Sequence, residues 1–209
     1  MKQYTTAAIK DLDRIYRANF INSITGFKPG NLIGTISKNG IPNLAIFSSV
    51  VHLGADPALI GFIQRPLTDT SHTYKNIMDT GVYTINHIHH AIAENAHYTS
   101  AKFDAGISEF DACGLATQYI ENFAAPFVNE SSIKMGLQLV ETIPIKHNNT
   151  ILVIGSVQHI LLEDDIQEQD GTINLASAGT IACSGLDTYY TATKLAQFPY
   201  AKTDQLPWG

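Results

Sequence analysis

The chain has 209 residues, 44% hydrophobic and 15% charged, with 15 Gly and 8 Pro, which fits one medium globular domain over 1–209 and excludes a linker or an array of repeats. At this length folding buries roughly 70% of the surface of the unfolded chain, so neither a disulfide framework nor a structural metal is required. Against 19 Asp+Glu stand 13 Lys+Arg, a net charge of −6 without a basic run, which argues against a nucleic-acid partner, and Cys113 and Cys183 form no CxxC pair, as fits a reducing cytoplasm.

Lys10, Asp11, Asp13 and Arg14 interrupt the first apolar stretch, so no signal peptide is expected there, and a short charged helix is predicted near Ala7 to Arg17. The segments 31–37 (NLIGTIS) and 41–49 (IPNLAIFSS) flank Lys38-Asn39-Gly40. Asn-Gly tolerates positive φ at both turn positions, which predicts a β-hairpin. A third strand is expected at 58–64 (ALIGFIQ), after a turn at Gly54 to Pro57. In 68–81 (TDTSHTYKNIMDTG), Thr70 or Ser71 can cap a short helix, Tyr74, Ile77 and Met78 form its apolar stripe, and Gly81 stops it.

Residues 82–88 (VYTINHI) read as a strand and the following AIAENAHYTSAKF as a helix. The middle, 104–130, has scattered Gly, Pro and aromatic residues and is expected to form long connections packed on the core. Two long strands, 131–145 and 150–162, meet at a polar turn over Lys146 to Asn149. The longest apolar run, 151–162, is interrupted by Ser156, Gln158 and His159 and is short of the ~20 residues of a membrane-spanning helix. An Asp170-Gly171 turn, a short strand near Ile173, a segment from Gly185 to Tyr190 and an aromatic, proline-containing end complete the chain. Strands come as hairpin neighbours and helices singly, so the fold expected is mainly β, an antiparallel barrel with peripheral helices.

The chain has no GxGxxG, GxxxxGK[ST], GxSxG or HExxH, which removes support for Rossmann dehydrogenase, P-loop, α/β-hydrolase and zincin readings. Two local groupings carry possible chemistry. Arg65, Thr68, Thr70, Ser71, His72 and Thr73 surround the start of the predicted helix at 68–81, where free amides, hydroxyls and a guanidinium suit a phosphate. The plain alternative is a capped surface helix, and Ser48-Ser49 likewise reads as an ordinary strand end. The second grouping is His87, His89, His90, Glu94 and His97. In a helix over 88–102, His90, Glu94 and His97 fall at i, i+4 and i+7, a spacing that could offer ligands to one divalent metal and make a hydrolase; a solvated polar face is the alternative.

The order NLIGTISKNGIPNLAIFSSV, GFIQRP, SHTYKNI, GVYTINHI, AHYTSAKF, NNTILVIGSVQHI and GLDTYY, from about Asn19 to Tyr200, resembles the flavin reductase-like proteins with an FMN-binding split barrel. The resemblance implies an antiparallel split barrel that binds FMN near the interface of a homodimer. It places the flavin ring along Ala45 to Ser49, with Ala45, Phe47, Ser48 and Ser49 as cofactor residues, and the phosphate at Arg65, Ser71, His72 and Thr73. Lys102 falls where similar proteins place a basic residue close to the flavin. It further implies hydride transfer from NAD(P)H to FMN and onward to an electron acceptor, with no side chain acting as acid or nucleophile. A flavin-binding electron carrier without a nicotinamide site is the alternative from another class. No resident metal, nucleic acid or membrane partner is expected.

Overall fold

In the computed structural model, which describes residues 1–203, the chain begins with two helices, α1 (Thr6–Asp11) and α2 (Arg14–Ser23). The single helix expected at 7–17 is divided because Leu12 turns extended after α1 and Asp13 then caps α2, accepting from the amides of Ile15 (2.9 Å) and Tyr16 (3.1 Å). Five strands follow, β1 (Lys28–Pro29), β2 (Asn31–Ile36), β3 (Pro42–Phe47), β4 (Val51–Ala55) and β5 (Ala58–Gln64). Strand β4 has no counterpart in the sequence reading. It is mostly exposed, so no alternation of polar and apolar residues marks it.

Helix α3 (His72–Thr80) ends as expected at Gly81, which takes the left-handed conformation (φ 75°). Next come β6 (Val82–His87), a single 3-10 turn over His90–Ile92 and α4 (Ala93–Tyr98). The helix expected through 88–102 is thus only partly formed, because Ile88 remains extended: its amide donates to Gly30 O (3.2 Å) and its carbonyl accepts from Ile181 (3.0 Å). The middle region, expected to be irregular, holds α5 (Glu109–Ala112) and a hairpin of β7 (Thr117–Ile120) and β8 (Phe123–Val128). The long pair β9 (Ile133–Ile145) and β10 (Thr150–Leu162) matches its predicted turn. Near Ile173 there is only an isolated bridge to Gln167, and β11 (Ile181–Ser184) with β12 (Thr188–Thr191) forms a hairpin. The end of the aromatic tail, 204–209, lies outside the described residues.

Seven strands make one antiparallel sheet in the order β3-β2-β6-β9-β10-β5-β4. Its two edge strands, β3 and β4, are consecutive in the chain, so the short link 48–50 draws the edges of the curved sheet together. The Ser49 hydroxyl sits in this seam, donating to Ile63 O (3.1 Å) and accepting from Ile63 N (3.2 Å). The fold is therefore the mainly β split barrel that the sequence pointed to.

Strand β2 is buried along nearly its whole length because both of its faces are covered. On one side Ile33 packs inside the barrel with Phe62, Tyr83, Ile85, Leu137 and Val153. On the other, Leu32 packs with Leu44, Ile88, Phe110, Val128 and Ile181 beneath the later helices and hairpins. Gly34 is required there, since a Cβ at this position would collide with the Pro126 carbonyl oxygen and the Thr84 hydroxyl. Helix α3 closes one end of the barrel: Ile77 enters the core, Asn76 donates to Thr35 Oγ1 (3.1 Å), and Asn43 donates to Thr73 Oγ1 (3.1 Å).

Candidate functional site

The expected anion-binding residues meet where β5 runs into α3. Gln64 ends β5, Arg65 follows fully on the surface, and the turn 68–71 leads into the helix. Ser71 holds the N-cap position but makes no side-chain cap. Its Oγ instead accepts from the Thr68 amide (2.9 Å), and Thr68 Oγ1 pairs with Thr70 Oγ1 (3.1 Å). The first amides of α3, on His72, Thr73 and Tyr74, precede the helical hydrogen-bond ladder and point out of the helix end. Three hydroxyls and a helix N-terminus are thus gathered at one turn that follows exposed Arg65 in the chain, a donor set and dipole that favour an anion. Thr73 is 5% exposed and its hydroxyl is occupied by Asn43, so its contribution to this turn is its amide.

Beside the turn lies β3, an edge strand. Its residues pair with β2 through Asn31↔Phe47, Ile33↔Ala45 and Thr35↔Asn43. The Leu44 amide points away from β2 and donates to Glu109 Oε2 (2.9 Å). Backbone directions alternate along a strand, so Ile46 also presents its amide and carbonyl outward, whereas those of Ala45 and Phe47 face β2. The Phe47 ring turns into the barrel and meets Phe62 edge-on, with centroids 5.0 Å apart. The outward row of β3 is therefore held at Leu44 and open at Ile46, just before Ser48. The Ser49 side chain belongs to the barrel seam, as described above.

Glu109 and Asn43 are site-forming residues that the sequence reading missed. Glu109 is 5% exposed, and burial pushes its carboxyl above the usual range, while the Leu44 amide and the nearby His72 oppose that shift. It comes from a segment with no periodicity, which offered no signal. Asn43 did leave one, since Asn is unfavourable inside an apolar strand. Lys102 is exposed on the loop between α4 and α5, and no ion pair among the described residues involves it.

The histidine group is not assembled as a metal site. His90 sits on the 3-10 turn that precedes α4, and α4 carries Glu94 and His97, so the three do not share one continuous α-helix. His97 Nδ1 lies 2.8 Å from the Tyr189 hydroxyl, and among the described residues no cluster of three His, Cys, Asp or Glu is placed to hold a metal. No helix among them is long and apolar enough to cross a membrane.

A family profile described as "Flavin reductase like domain" matches residues 27–180. A crystal structure from Shewanella frigidimarina NCIMB 400, described as a flavin reductase with a split barrel domain, is 48% identical, covers 96% of this chain and 100% of its own, and has a TM-score of 0.93. Nitrilotriacetate monooxygenase component B from Bacillus cereus is 19% identical over 95% of this chain and 98% of its own, with a TM-score of 0.83. An FMN-binding protein from Thermus thermophilus is 14% identical over 95% and 100%, with a TM-score of 0.75. At such identities the last two establish the fold alone.

Proposed function

Because this chain belongs to the flavin reductase-like family, we propose that it is an FMN-dependent oxidoreductase that takes reducing equivalents from NAD(P)H and passes them to a further acceptor. The observation that carries this reading is the turn at 65–73, an uncapped helix N-terminus with Arg65 and three hydroxyls beside an open strand edge. The donor set fits the FMN phosphate: Arg65 offers a charged fork, the hydroxyls of Thr68, Thr70 and Ser71 offer adjustable donors, and the amides of His72 and Thr73 offer fixed ones. The ring would lie along 45–49, where the outward groups of Ile46 and the main chain of Ser48 and Ser49 would meet its polar edge. Lys102 would approach from its loop. When bound, FMN supplies an N5 able to accept a hydride from a nicotinamide and release electrons onward.

The side chains have a positioning task. Asn43 and Glu109 hold β3 from its inner face and its outer edge, immediately before the open segment. The uncharged amides there would stabilise negative charge as it develops on the ring. We read the chain as one domain, because β1 pairs with β11 across most of its length, and as a cytoplasmic protein whose two cysteines remain free and buried. A second copy is the natural cover for α1 and α2. Neither helix buries a residue, and Ile15, Tyr16, Ile21, Ile24 and Phe27 stand exposed.

The test is an FMN titration followed by anaerobic addition of NADH and NADPH. Bleaching of the flavin band by either nucleotide is expected; a bound flavin that neither reduces would leave an electron carrier. Arg65→Ala should weaken FMN binding by about 1.5–3 kcal/mol. Unchanged affinity would place the phosphate elsewhere.

A further inference from the structure

At the barrel end away from α3, two neighbouring polar side chains, one buried and one half-buried, carry buried atoms without partners among the described residues. Asn31, the first residue of β2, is 1% exposed, and neither its Oδ1 nor its Nδ2 makes a hydrogen bond. His87, the last residue of β6, lies directly across from it in register, and its Nδ1 is likewise unpaired. Side chains two residues apart on a strand share a face. Ile33 and Ile85, two positions inward from Asn31 and His87, both belong to the barrel core, so the amide and the imidazole face the interior together. Directly opposed residues bring their Cβ atoms to about 5 Å.

Neighbouring elements cover this corner on several sides and leave His87 half-buried. Phe47 stands across β2 from His87, paired with Asn31. The register Asn86↔Lys134 puts Ile133 beside His87, and Ile133 packs under Ile166 and Ala178 of the segment after β10. Thr180 of the same segment bridges to His89. Buried amides and imidazoles left unpaired are strongly unfavourable, and native structures pair them with protein groups or internal water. Asn31 has both a donor and an acceptor to satisfy. Neither group brings a charge that would balance an ion, since burial holds the His87 imidazole neutral, lowering it to about 4.

We propose that this end of the barrel is a binding site for a small uncharged guest that both donates and accepts hydrogen bonds, namely ordered water, held between the Asn31 amide and His87 Nδ1. The guest ties β2 to β6 where β3 leaves the sheet toward Ser48. It is separate from the anion turn, which lies by the α3-plugged end, and stands whether or not the protein takes FMN.

A crystal structure of the full chain and a double-mutant cycle test this together. Water density bonded to Asn31 and to His87 Nδ1 is expected, with a water-to-ring cross-peak for His87 in a 15N-histidine-labelled sample. Asn31→Leu and His87→Phe should each lower Tm, because each strands the guest and the other partner. The double variant should melt above either single one, since it removes both sides of the site. A dry corner, with Asn31 and His87 bonded directly to protein groups, would overturn the proposal, as would a double variant whose Tm loss equals the sum of the two. Should a variant fail to fold, the cross-peak in the unaltered protein decides: its presence supports the site and its absence sinks it.

Discussion

The two ends of the barrel solve the same problem in opposite ways. At the α3 end the buried polar groups pair with one another, Asn43 with Thr73 and Asn76 with Thr35, both at 3.1 Å. At the other end Asn31 is fully buried and His87 half-buried, and the buried Asn31 amide and His87 Nδ1 make no such pairs among the described residues. A helix that brings matching side chains can plug a barrel and be rigid, and the turn before it then becomes a firm anchor for an anion. A corner closed by a covering segment with apolar contacts has no such partners to offer its polar groups.

Breaking the plug should have the largest effect. Ile77 is fully buried in the barrel core, and Ile77→Ala should cost about 4 kcal/mol, measured by chemical denaturation; a loss near zero would mean that α3 does not seal the barrel. At the other end, acid should act through His87. Its folded value of about 4 lies below the ordinary 6.5, so the unfolded chain takes up the proton first. Stability is therefore full above about pH 6.5 and falls as pH drops toward 4, by up to about 3 kcal/mol. His87→Phe should flatten this limb of a stability–pH curve, and an unchanged limb would assign acid sensitivity to other groups.

Smaller effects sharpen the contrast. Asn43→Ala removes one polar tie of the plug and should cost about 1.5 kcal/mol; a neutral outcome would show that apolar packing alone seats α3. Ser71→Ala should change the stability of the flavin-free protein by less than about 0.5 kcal/mol. An N-cap hydroxyl usually contributes ~1 kcal/mol, but Ser71 makes no cap bond. A full-sized loss in thermal melts would restore it as a helix cap.

The hairpin around Asn39-Gly40 and the stop at Gly81 were legible because turn chemistry is local: Gly40 and Gly81 both take positive φ, 79° and 75°. The anion turn was legible for the same reason, since its hydroxyls and Arg65 are contiguous in the chain. Strand β4 and the β7–β8 hairpin were not, because the first is too exposed to alternate and the second lies in a stretch without a clear period. Residues 88–102 misled through their alanines. Helix propensity favoured a continuous helix, and pairing of Ile88 with Gly30 and Ile181 overrode it.

The sequence by itself determined the strand-rich architecture, the long β9–β10 hairpin and the cluster of donors before α3, all of which depend on neighbours a few residues apart. The tertiary structure alone decided that Glu109 grips the free edge of β3 from 65 residues away, that the Ser49 hydroxyl lies in the barrel seam, and that Asn31 meets His87. Those pairings depend on which strands lie side by side, and strand order is set by burying both faces of β2 at once rather than by any local preference.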